Sequence, residues 1–97
     1  MLDIKVGDNG EIVLSGRLDA SQAGKANEVF DAVNEPRVVD LAGLDYISSL
    51  GLGILLKAQK RIHAASGGGL RLVNVSPHVN DIFKYSGFNQ IFEIETI

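Results

Sequence analysis

Two adjacent serines stand where a predicted strand gives way to a predicted helix, and they are the first candidates for chemistry. Ser48 and Ser49 precede a helical pattern that carries two glycines near its start. A serine hydroxyl at a helix N-terminus accepts a backbone N–H bond, and an anion there is favoured by about 0.3 to 1 kcal/mol. The segment therefore suits a phosphorylated serine. In the alternative that the spacing leaves open, Ser49 only caps the helix.

Gly51 and Gly53 are unusual residues for the start of a helix. Each weakens the helix by about 1 kcal/mol relative to alanine, which favours a bare backbone held close to another surface, such as a docking partner. In the alternative interpretation, both glycines only let the helix pack on its own sheet. Leu52 and Leu56 belong to a row of mixed polarity. That row is either the edge of an interface or a half-buried boundary of the core.

An enzymatic role for Ser49 would require a base beside its hydroxyl, and the sequence offers poor candidates. His63 lies several turns further along the same helical pattern, and His78 lies in the first turn of a different one without an obvious orienting acid. The two histidines lack the i, i+4 spacing of helical zinc ligands, and the chain has no cysteine. We therefore predict a protein that is not an enzyme and that uses neither a metal nor a cofactor.

The elements that position the two serines follow from hydrophobic periodicity and turn residues. The chain opens with a hairpin, and a helix over about 20–34 follows, introduced by Asp19 and Gln22 in a pattern that resembles a capping box. Val38–Leu41 is predicted as a strand buried on both faces at the centre of the sheet, and it places Asp40 at its end. A loop then leads from Gly43 to the serines.

A second predicted helix covers about 50–65 and ends at three glycines, Gly67 to Gly69. The remaining predicted elements are a strand over 70–75, a helix introduced by Ser76 and Pro77, and a last strand around 91–94. The order ββαβαβαβ predicts an α/β fold, in which a mixed, mostly parallel β-sheet carries packed α-helices. One small domain over residues 1–97 accounts for the whole pattern.

Length and composition exclude several classes of function. With 97 residues, 45% hydrophobic and 22% charged, the chain is typical of one globular domain. A net charge of -3 disfavours nucleic-acid binding, because such binding depends on neutralising phosphates. No segment approaches the roughly 20 apolar residues of a membrane span, and no signal segment is recognisable. We therefore expect no membrane insertion and a cytoplasmic location.

The segment from Asp45 through Gly53 resembles the signature of STAS domains, specifically the stand-alone bacterial anti-sigma factor antagonists. The resemblance extends to Leu14–Asp19, which is similar to the family's element after its second strand, and to Val38–Leu41, which is similar to its central strand. Leu72–Pro77 and Val79–Phe88 resemble the fourth strand and the final helix. Nearly the whole chain is covered, and the resemblance implies a STAS-like fold.

The resemblance implies that Ser49 is the phosphate acceptor, because it stands two residues before the glycine of the motif. Ser48 takes the place of a frequent aspartate and is the alternative acceptor. Asp19 and Asp40 match supporting acidic positions, although helix capping and loop hydrogen bonding would also explain them. The remaining residues of the implied partner-binding surface are Ser48, Leu50, Gly51, Leu52, Gly53 and Leu56.

The implied function is that of an anti-sigma factor antagonist, a protein-binding switch. Its unphosphorylated form would bind a serine-kinase anti-sigma factor and would be released on phosphorylation at Ser49. The kinase would bring ATP and Mg²⁺, and a PP2C-type serine phosphatase would reverse the modification. The alternative is a STAS subunit or scaffold of a transporter complex, which is never phosphorylated.

Overall fold

A computed structural model describes residues 2–97 of the chain. They form one five-stranded sheet with three α-helices, in the predicted order ββαβαβαβ. The strands are β1 (Leu2–Val6), β2 (Ile12–Leu18), β3 (Arg37–Ile47), β4 (Leu70–Val75) and β5 (Glu93–Thr96). The helices are α1 (Ala23–Asp31), α2 (Ser49–Ser66) and α3 (Pro77–Tyr85), with 3-10 turns at Ala20–Gln22 and Phe88–Gln90.

The strands lie side by side in chain order, with β3 at the centre. β1 and β2 are antiparallel, and the turn between them is closed by a 2.8 Å bond from the Gly7 N–H to the Glu11 carbonyl. Gly10 has a φ of +80° in this turn, a conformation that favours glycine. Every other neighbouring pair is parallel, and one helix crosses between its strands. The predicted mixed, mostly parallel α/β sheet is therefore confirmed.

One face of the sheet carries the core. Ile12, Val39 and Leu72 are partners across β2, β3 and β4, and each is at most 1% exposed. On the opposite face the next row, Val13, Asp40 and Val73, is only half-buried. All three helices pack against the first face, because sequential right-handed crossovers in one direction place them on the same side. The second face, which we call the open face, has no helix over it. The helical part of the core comprises Ala26, Phe30, Ile54, Leu55, Ala58, Ile62, Val79 and Phe83.

The central strand is longer than predicted, and the predicted loop after Gly43 is wrong. β3 continues to Ile47 because its pairing with β2 continues as far as the partners Leu18 and Ile47. Two irregularities in this register let β3 accommodate extra residues without leaving the sheet. Asp40 consequently lies in the interior of the strand and not at its end. The connection from β3 to α2 is a single residue, Ser48.

The first predicted helix, over 20–34, is shorter in the structure and begins differently. Asp19 accepts hydrogen bonds from the backbone and hydroxyl of Ser21 and starts a 3-10 turn, so the predicted capping box with Gln22 does not form. At the end of the helix and just beyond it, the Arg61 guanidinium donates hydrogen bonds to the carbonyls of Phe30 and Val33 at 2.6 and 2.7 Å. The Phe30 carbonyl also accepts the Val33 N–H at 3.1 Å, so these bonds satisfy carbonyls of the kind that a helix end leaves unpaired.

The remaining helix boundaries agree closely with the sequence patterns. α2 ends at Ser66, and Gly67 is its C-cap. Gly67 has a φ of +79°, in the left-handed region, and its N–H donates to the His63 carbonyl. The Ser76 hydroxyl accepts the Val79 N–H at 3.3 Å and begins α3. The last strand starts at Glu93 rather than near 91, because Phe88–Gln90 forms a 3-10 turn that buries Phe88 and Phe92. The Phe88 ring stacks on Phe83 of α3, with ring centroids 5.8 Å apart, and the Phe92 ring stacks on Phe88 at 4.9 Å.

Candidate phosphorylation site at the start of α2

Ser48 is the N-cap of α2, a place the sequence interpretation had given to Ser49. Its hydroxyl accepts the Gly51 N–H at 3.2 Å, and its carbonyl accepts the Leu52 N–H at 2.9 Å. Its own N–H donates to the Leu18 carbonyl at 2.9 Å, which ties the helix start to the end of β2. Ser48 is half-buried. Its side chain is therefore committed to holding the strand-to-helix connection.

Ser49 is the first residue of α2 and is exposed. Within residues 2–97 its hydroxyl makes no hydrogen bond, so the oxygen is accessible and not held by a neighbour. An anion attached to it would lie at the positive end of an 18-residue helix, where negative charge is favoured. The two serines therefore have different roles. One caps the helix, and the other presents a hydroxyl to solvent.

The two glycines of α2 have different surroundings. Gly51 is buried, and a Cβ built there would lie 2.8 Å from side-chain atoms of Ile47 and Leu18. This glycine is therefore needed for close packing of the helix on the sheet, and it is not part of the protein surface. Gly53 is exposed, and a Cβ built there would meet no atom within 4 Å. Packing within the chain does not explain Gly53.

The leucines around Ser49 also fall into two groups. Leu50 is 49% exposed beside Ser49 and is one of the few large apolar residues on the surface. Leu52 and Leu56 are half-buried and pack against the core. They occupy a boundary row of the core, the simpler of the two interpretations of this row. Leu50 is the leucine best placed to meet another protein.

A shallow depression of about 240 Å³ lies between α1 and α2 beside Ser49. Its lining residues are Asn27, Ser49, Leu50, Gly53, Ile54 and Lys57. Asn27 could not be predicted from the sequence, because α1 contacts α2 only through the tertiary fold. The spacing of Ser49, Gly53 and Lys57 at four-residue intervals does place these three on neighbouring positions of one helix side. That spacing was the available signal for Lys57.

Two basic side chains of α2 contact α1. Lys57 Nζ donates to Asn27 Oδ1 at 3.1 Å and lies 3.5 Å from Asp31 Oδ1. Arg61 Nη1 lies 3.5 Å from the same carboxylate oxygen. Because these side chains are about half exposed, each ion pair contributes little by itself, roughly 0 to 1 kcal/mol. Through the shared Asp31 carboxylate, both side chains nevertheless connect the C-terminal half of α1 to α2.

Asp19 lies next to the start of α2, since Leu18 at the end of β2 binds the Ser48 N–H. Hydrogen bonds from the Ser21 hydroxyl at 2.6 Å and the Ser21 backbone N–H at 3.1 Å stabilise its ionised form. These bonds, with the Arg17 guanidinium 4.0 Å away, hold the pKa of Asp19 below its ordinary value of 3.8. Asp19 therefore brings a fixed negative charge near Ser48.

Asp40 is not brought together with the serines. It lies in the interior of β3 on the open face, and about 20 Å of strand separates it from Ile47. Its carboxylate accepts the Ala42 N–H at 3.0 Å and the Asn74 side-chain amide at 3.2 Å. Asn74 has a φ of +56°, a conformation that asparagine tolerates better than most residues. The contacts of Asp40 are those of a residue that joins β3 to β4.

Residues 2–97 lack two other kinds of site. No cluster of three or more histidine, aspartate or glutamate side chains is arranged to hold a metal ion in this part of the chain. Nor does any of its helices have both the length and the apolar character needed to cross a membrane.

Sequence comparisons identify relatives over most of the chain. The family model described as "Mlab, STAS domain" matches residues 4–94. BtrV of Bordetella bronchiseptica, a protein named for anti-sigma factor antagonism, is 37% identical over 83 residues, which cover 86% of this chain and 70% of that protein. The anti-sigma-B factor antagonist of Listeria monocytogenes is 30% identical over 94 residues, covering 93% of this chain and 82% of that protein.

Solved structures share the same fold. The anti-sigma factor antagonist SpoIIAA in its unphosphorylated form has a TM-score of 0.75 at 20% identity, over 100% of this chain and 88% of that one. The phosphorylated form of SpoIIAA from Bacillus has a TM-score of 0.69 at 19% identity, over 100% and 91% of the two chains. The family match over residues 4–94 and the identity to BtrV lead to one conclusion: this chain belongs to the STAS domain family, as its resemblance had indicated.

Proposed function

We propose that this protein is an anti-sigma factor antagonist that binds a serine-kinase anti-sigma factor and is released when Ser49 is phosphorylated. The observation that carries this proposal is the exposed Ser49 hydroxyl, which has no hydrogen-bond partner within residues 2–97, at the first position of α2. The names of the relatives from Bordetella and Listeria support the anti-sigma factor antagonist part of this role. Their similarity extends over most of this chain. The proposed role is one of binding rather than catalysis.

The proposed contact area, called the Ser49 surface below, consists of Asp19, Ser49, Leu50 and Gly53. Leu50 offers apolar area, and Gly53 leaves the helix backbone uncovered beside it. Ser48 and Gly51 support this surface from beneath, and Leu52 and Leu56 form its half-buried edge. Asp40 lies outside it, about 20 Å further back along β3.

The proposed chemistry is a phosphoryl transfer in which this chain is the substrate. The Ser49 oxygen would attack the γ-phosphorus of ATP held by the kinase, ADP would leave, and the hydroxyl proton would pass to a base of the kinase. The kinase would supply the nucleotide site, the Mg²⁺ and the catalytic base. A PP2C-type phosphatase would hydrolyse the phosphoserine and reset the switch. The requirement on this chain is a positioned, accessible hydroxyl.

Phosphorylation would change binding far more than folding. It adds about -1.5 to -2 charges at a helix N-terminus, where the free protein tolerates them. In a complex that had desolvated a neutral Ser49 against the partner, the same charges would be buried without compensation. A penalty of about 3 kcal/mol would weaken association roughly a hundredfold. That loss would release the kinase to bind its sigma factor.

The decisive experiment is to incubate the purified protein with ATP and a candidate serine-kinase anti-sigma factor from the same genome, and to map phosphate by mass spectrometry. We expect one phosphate in the wild type and in Ser48→Ala, and none in Ser49→Ala. Complex formation measured by calorimetry before and after modification tests the release. Circular dichroism of each variant checks that the fold is retained.

Other outcomes have defined meanings. Phosphate lost only in Ser48→Ala would assign the acceptor to Ser48, the alternative in the sequence. A stable complex with an active kinase but no phosphate would overturn the switch. The transporter-subunit alternative would then be favoured, and co-purification with a permease from the same genome would identify it.

A further inference from the structure

The depression between α1 and α2 begins at Ser49, and its size and lining suit a small anion. Its volume of about 240 Å³ corresponds to several water molecules at roughly 30 Å³ each, enough for a phosphoryl group. Leu50 and Ile54 form part of its wall. The polar lining groups other than Ser49 are the side chains of Asn27 and Lys57. Neither group is negatively charged.

Both polar groups can still donate hydrogen bonds into the depression. Asn27 uses its oxygen to accept from Lys57 Nζ at 3.1 Å, so its amide nitrogen keeps two protons that have no partner within residues 2–97. The Lys57 ammonium has three protons, and its contacts are this bond and the carboxylate of Asp31 at 3.5 Å. A cation and an amide donor thus lie together at the end of the depression away from Ser49.

The helix geometry leaves the space between Ser49 and Lys57 unobstructed. Ser49, Gly53 and Lys57 follow one another at four-residue intervals, and the middle residue has no side chain. The Cα atoms of Ser49 and Lys57 are about 12 Å apart along the helix, and an extended lysine that leans toward the N-terminus can bridge this distance together with a phosphoserine side chain. Movement of Lys57 toward Ser49 would not leave Asp31 unpaired, since Arg61 lies 3.5 Å from the same oxygen.

We propose that this depression receives the phosphoryl group of phosphorylated Ser49, and that the Lys57 ammonium and the Asn27 amide bind it there. The inference rests on the proposed modification of Ser49 and adds a location for the phosphate. In that location the phosphate stays in the first turn of α2 and partly covers the uncovered backbone at Gly53 that the unmodified protein presents. Release of the partner then follows from occlusion of the Ser49 surface as well as from charge.

The test uses the full chain with phosphoserine placed at position 49 during translation, so that no kinase is needed. The second pKa of the phosphate, ordinarily about 6, is measured by ³¹P NMR titration. A nearby cation favours the dianion, so Lys57→Met should raise this pKa by between about 0.15 and 0.7 units, the range expected for an exposed ion pair. Lys60→Met is the matched control, because Lys60 is exposed and lies about one turn after Lys57 in α2. This variant should leave the phosphate pKa nearly unchanged. Lys57→Arg should restore the wild-type value.

A second readout addresses Asn27 directly. Its side-chain amide signals in a ¹⁵N–¹H spectrum should shift when phosphoserine replaces Ser49, whereas those of Asn80 on α3 should not. Equal phosphate pKa values in Lys57→Met and Lys60→Met, or unmoved Asn27 signals, would overturn the inference. Such a result would leave phosphorylation of Ser49 by the kinase untouched. Failure of the kinase to modify Ser49 would conversely count against the proposed function alone.

Discussion

The Ser48 hydroxyl oxygen lies 3.2 Å from the Gly51 backbone nitrogen and accepts its hydrogen bond, whereas the Ser49 hydroxyl beside it bonds to no group within residues 2–97. Two neighbouring residues of the same type therefore have separate roles. The first holds the helix in place. The second remains available for modification without loss of a structural contact.

This division predicts different stabilities for two alanine variants. Ser48→Ala removes the N-cap and should lower the free energy of unfolding by about 1 kcal/mol, with a range of 0.5 to 2. Ser49→Ala should change it by less than about 0.5 kcal/mol, as is usual for exposed positions. Urea denaturation followed by circular dichroism measures both values. Equal losses in the two variants would contradict the assignment of Ser48 as the cap.

The two glycines of α2 should respond in opposite directions to alanine. In Gly51→Ala the new methyl group would meet Ile47 and Leu18 at 2.8 Å, and overpacking of this kind costs about 1 to 3 kcal/mol. Gly53→Ala meets nothing within 4 Å and should stabilise the protein by about 0.5 to 1 kcal/mol through helix propensity. Thermal and urea unfolding provide the comparison. A destabilised Gly53→Ala variant would show that this position is constrained within the chain.

Arg61 should contribute more to stability than its neighbour Lys60. Its guanidinium binds the Phe30 and Val33 carbonyls at the end of α1, and Arg61→Met should cost about 2 kcal/mol because charged hydrogen bonds contribute roughly 1.5 to 3. Lys60→Met removes an exposed charge from the same helix and is the control. Amide hydrogen exchange should also show faster exchange in the last turn of α1 in Arg61→Met. Equal stability of the two variants would refute the role given to Arg61.

Asp19 should make stability depend on pH in the acid range. Its pKa is lowered in the folded state, first of all by the Ser21 hydroxyl, so its contribution is complete above the ordinary value of 3.8. The contribution is lost as pH falls through the lowered folded-state pKa. Asp19→Asn should therefore have a lower Tm than the wild type near neutral pH, and the difference should close in strong acid.

A companion variant tests the cause of that pKa. Ser21→Ala removes the hydroxyl that bonds to the Asp19 carboxylate at 2.6 Å. NMR titration of Asp19 should then give a pKa closer to 3.8 than in the wild type. An unchanged value would mean that the backbone N–H of Ser21 or the charge of Arg17 dominates.

The features that sequence predicted well are those determined by local chemistry. Ser76 caps α3, and Gly67 follows the end of α2 in a left-handed conformation. Each depends on residues within one turn of the chain. The alternation of strands and helices then restricts the order in which the strands can lie in the sheet. The observed order follows from short right-handed crossovers between neighbouring strands.

The features that sequence did not predict depend on contacts between distant residues. β3 extends to Ile47 because β2 provides a partner strand with irregular register, whereas Gly43 in the sequence favours a loop at this point. The carbonyls of Phe30 and Val33, at the end of α1 and just beyond it, bind Arg61 of α2, which is distant in the sequence. The Asn27 amide likewise reaches the neighbourhood of Ser49 only through the packing of α1 on α2. Periodicity within one segment contains none of this information.

The open face of the sheet has a practical consequence. Lys5 in β1 points to that face, away from the helices, and its side chain is 75% exposed. The chain contains no cysteine, so Lys5→Cys would provide a single thiol for a fluorescent dye. A dye at this position would share no contact with α2. Fluorescence anisotropy could then follow partner capture and release in real time with the Ser49 hydroxyl, the helix cap and the adjoining depression all unaltered.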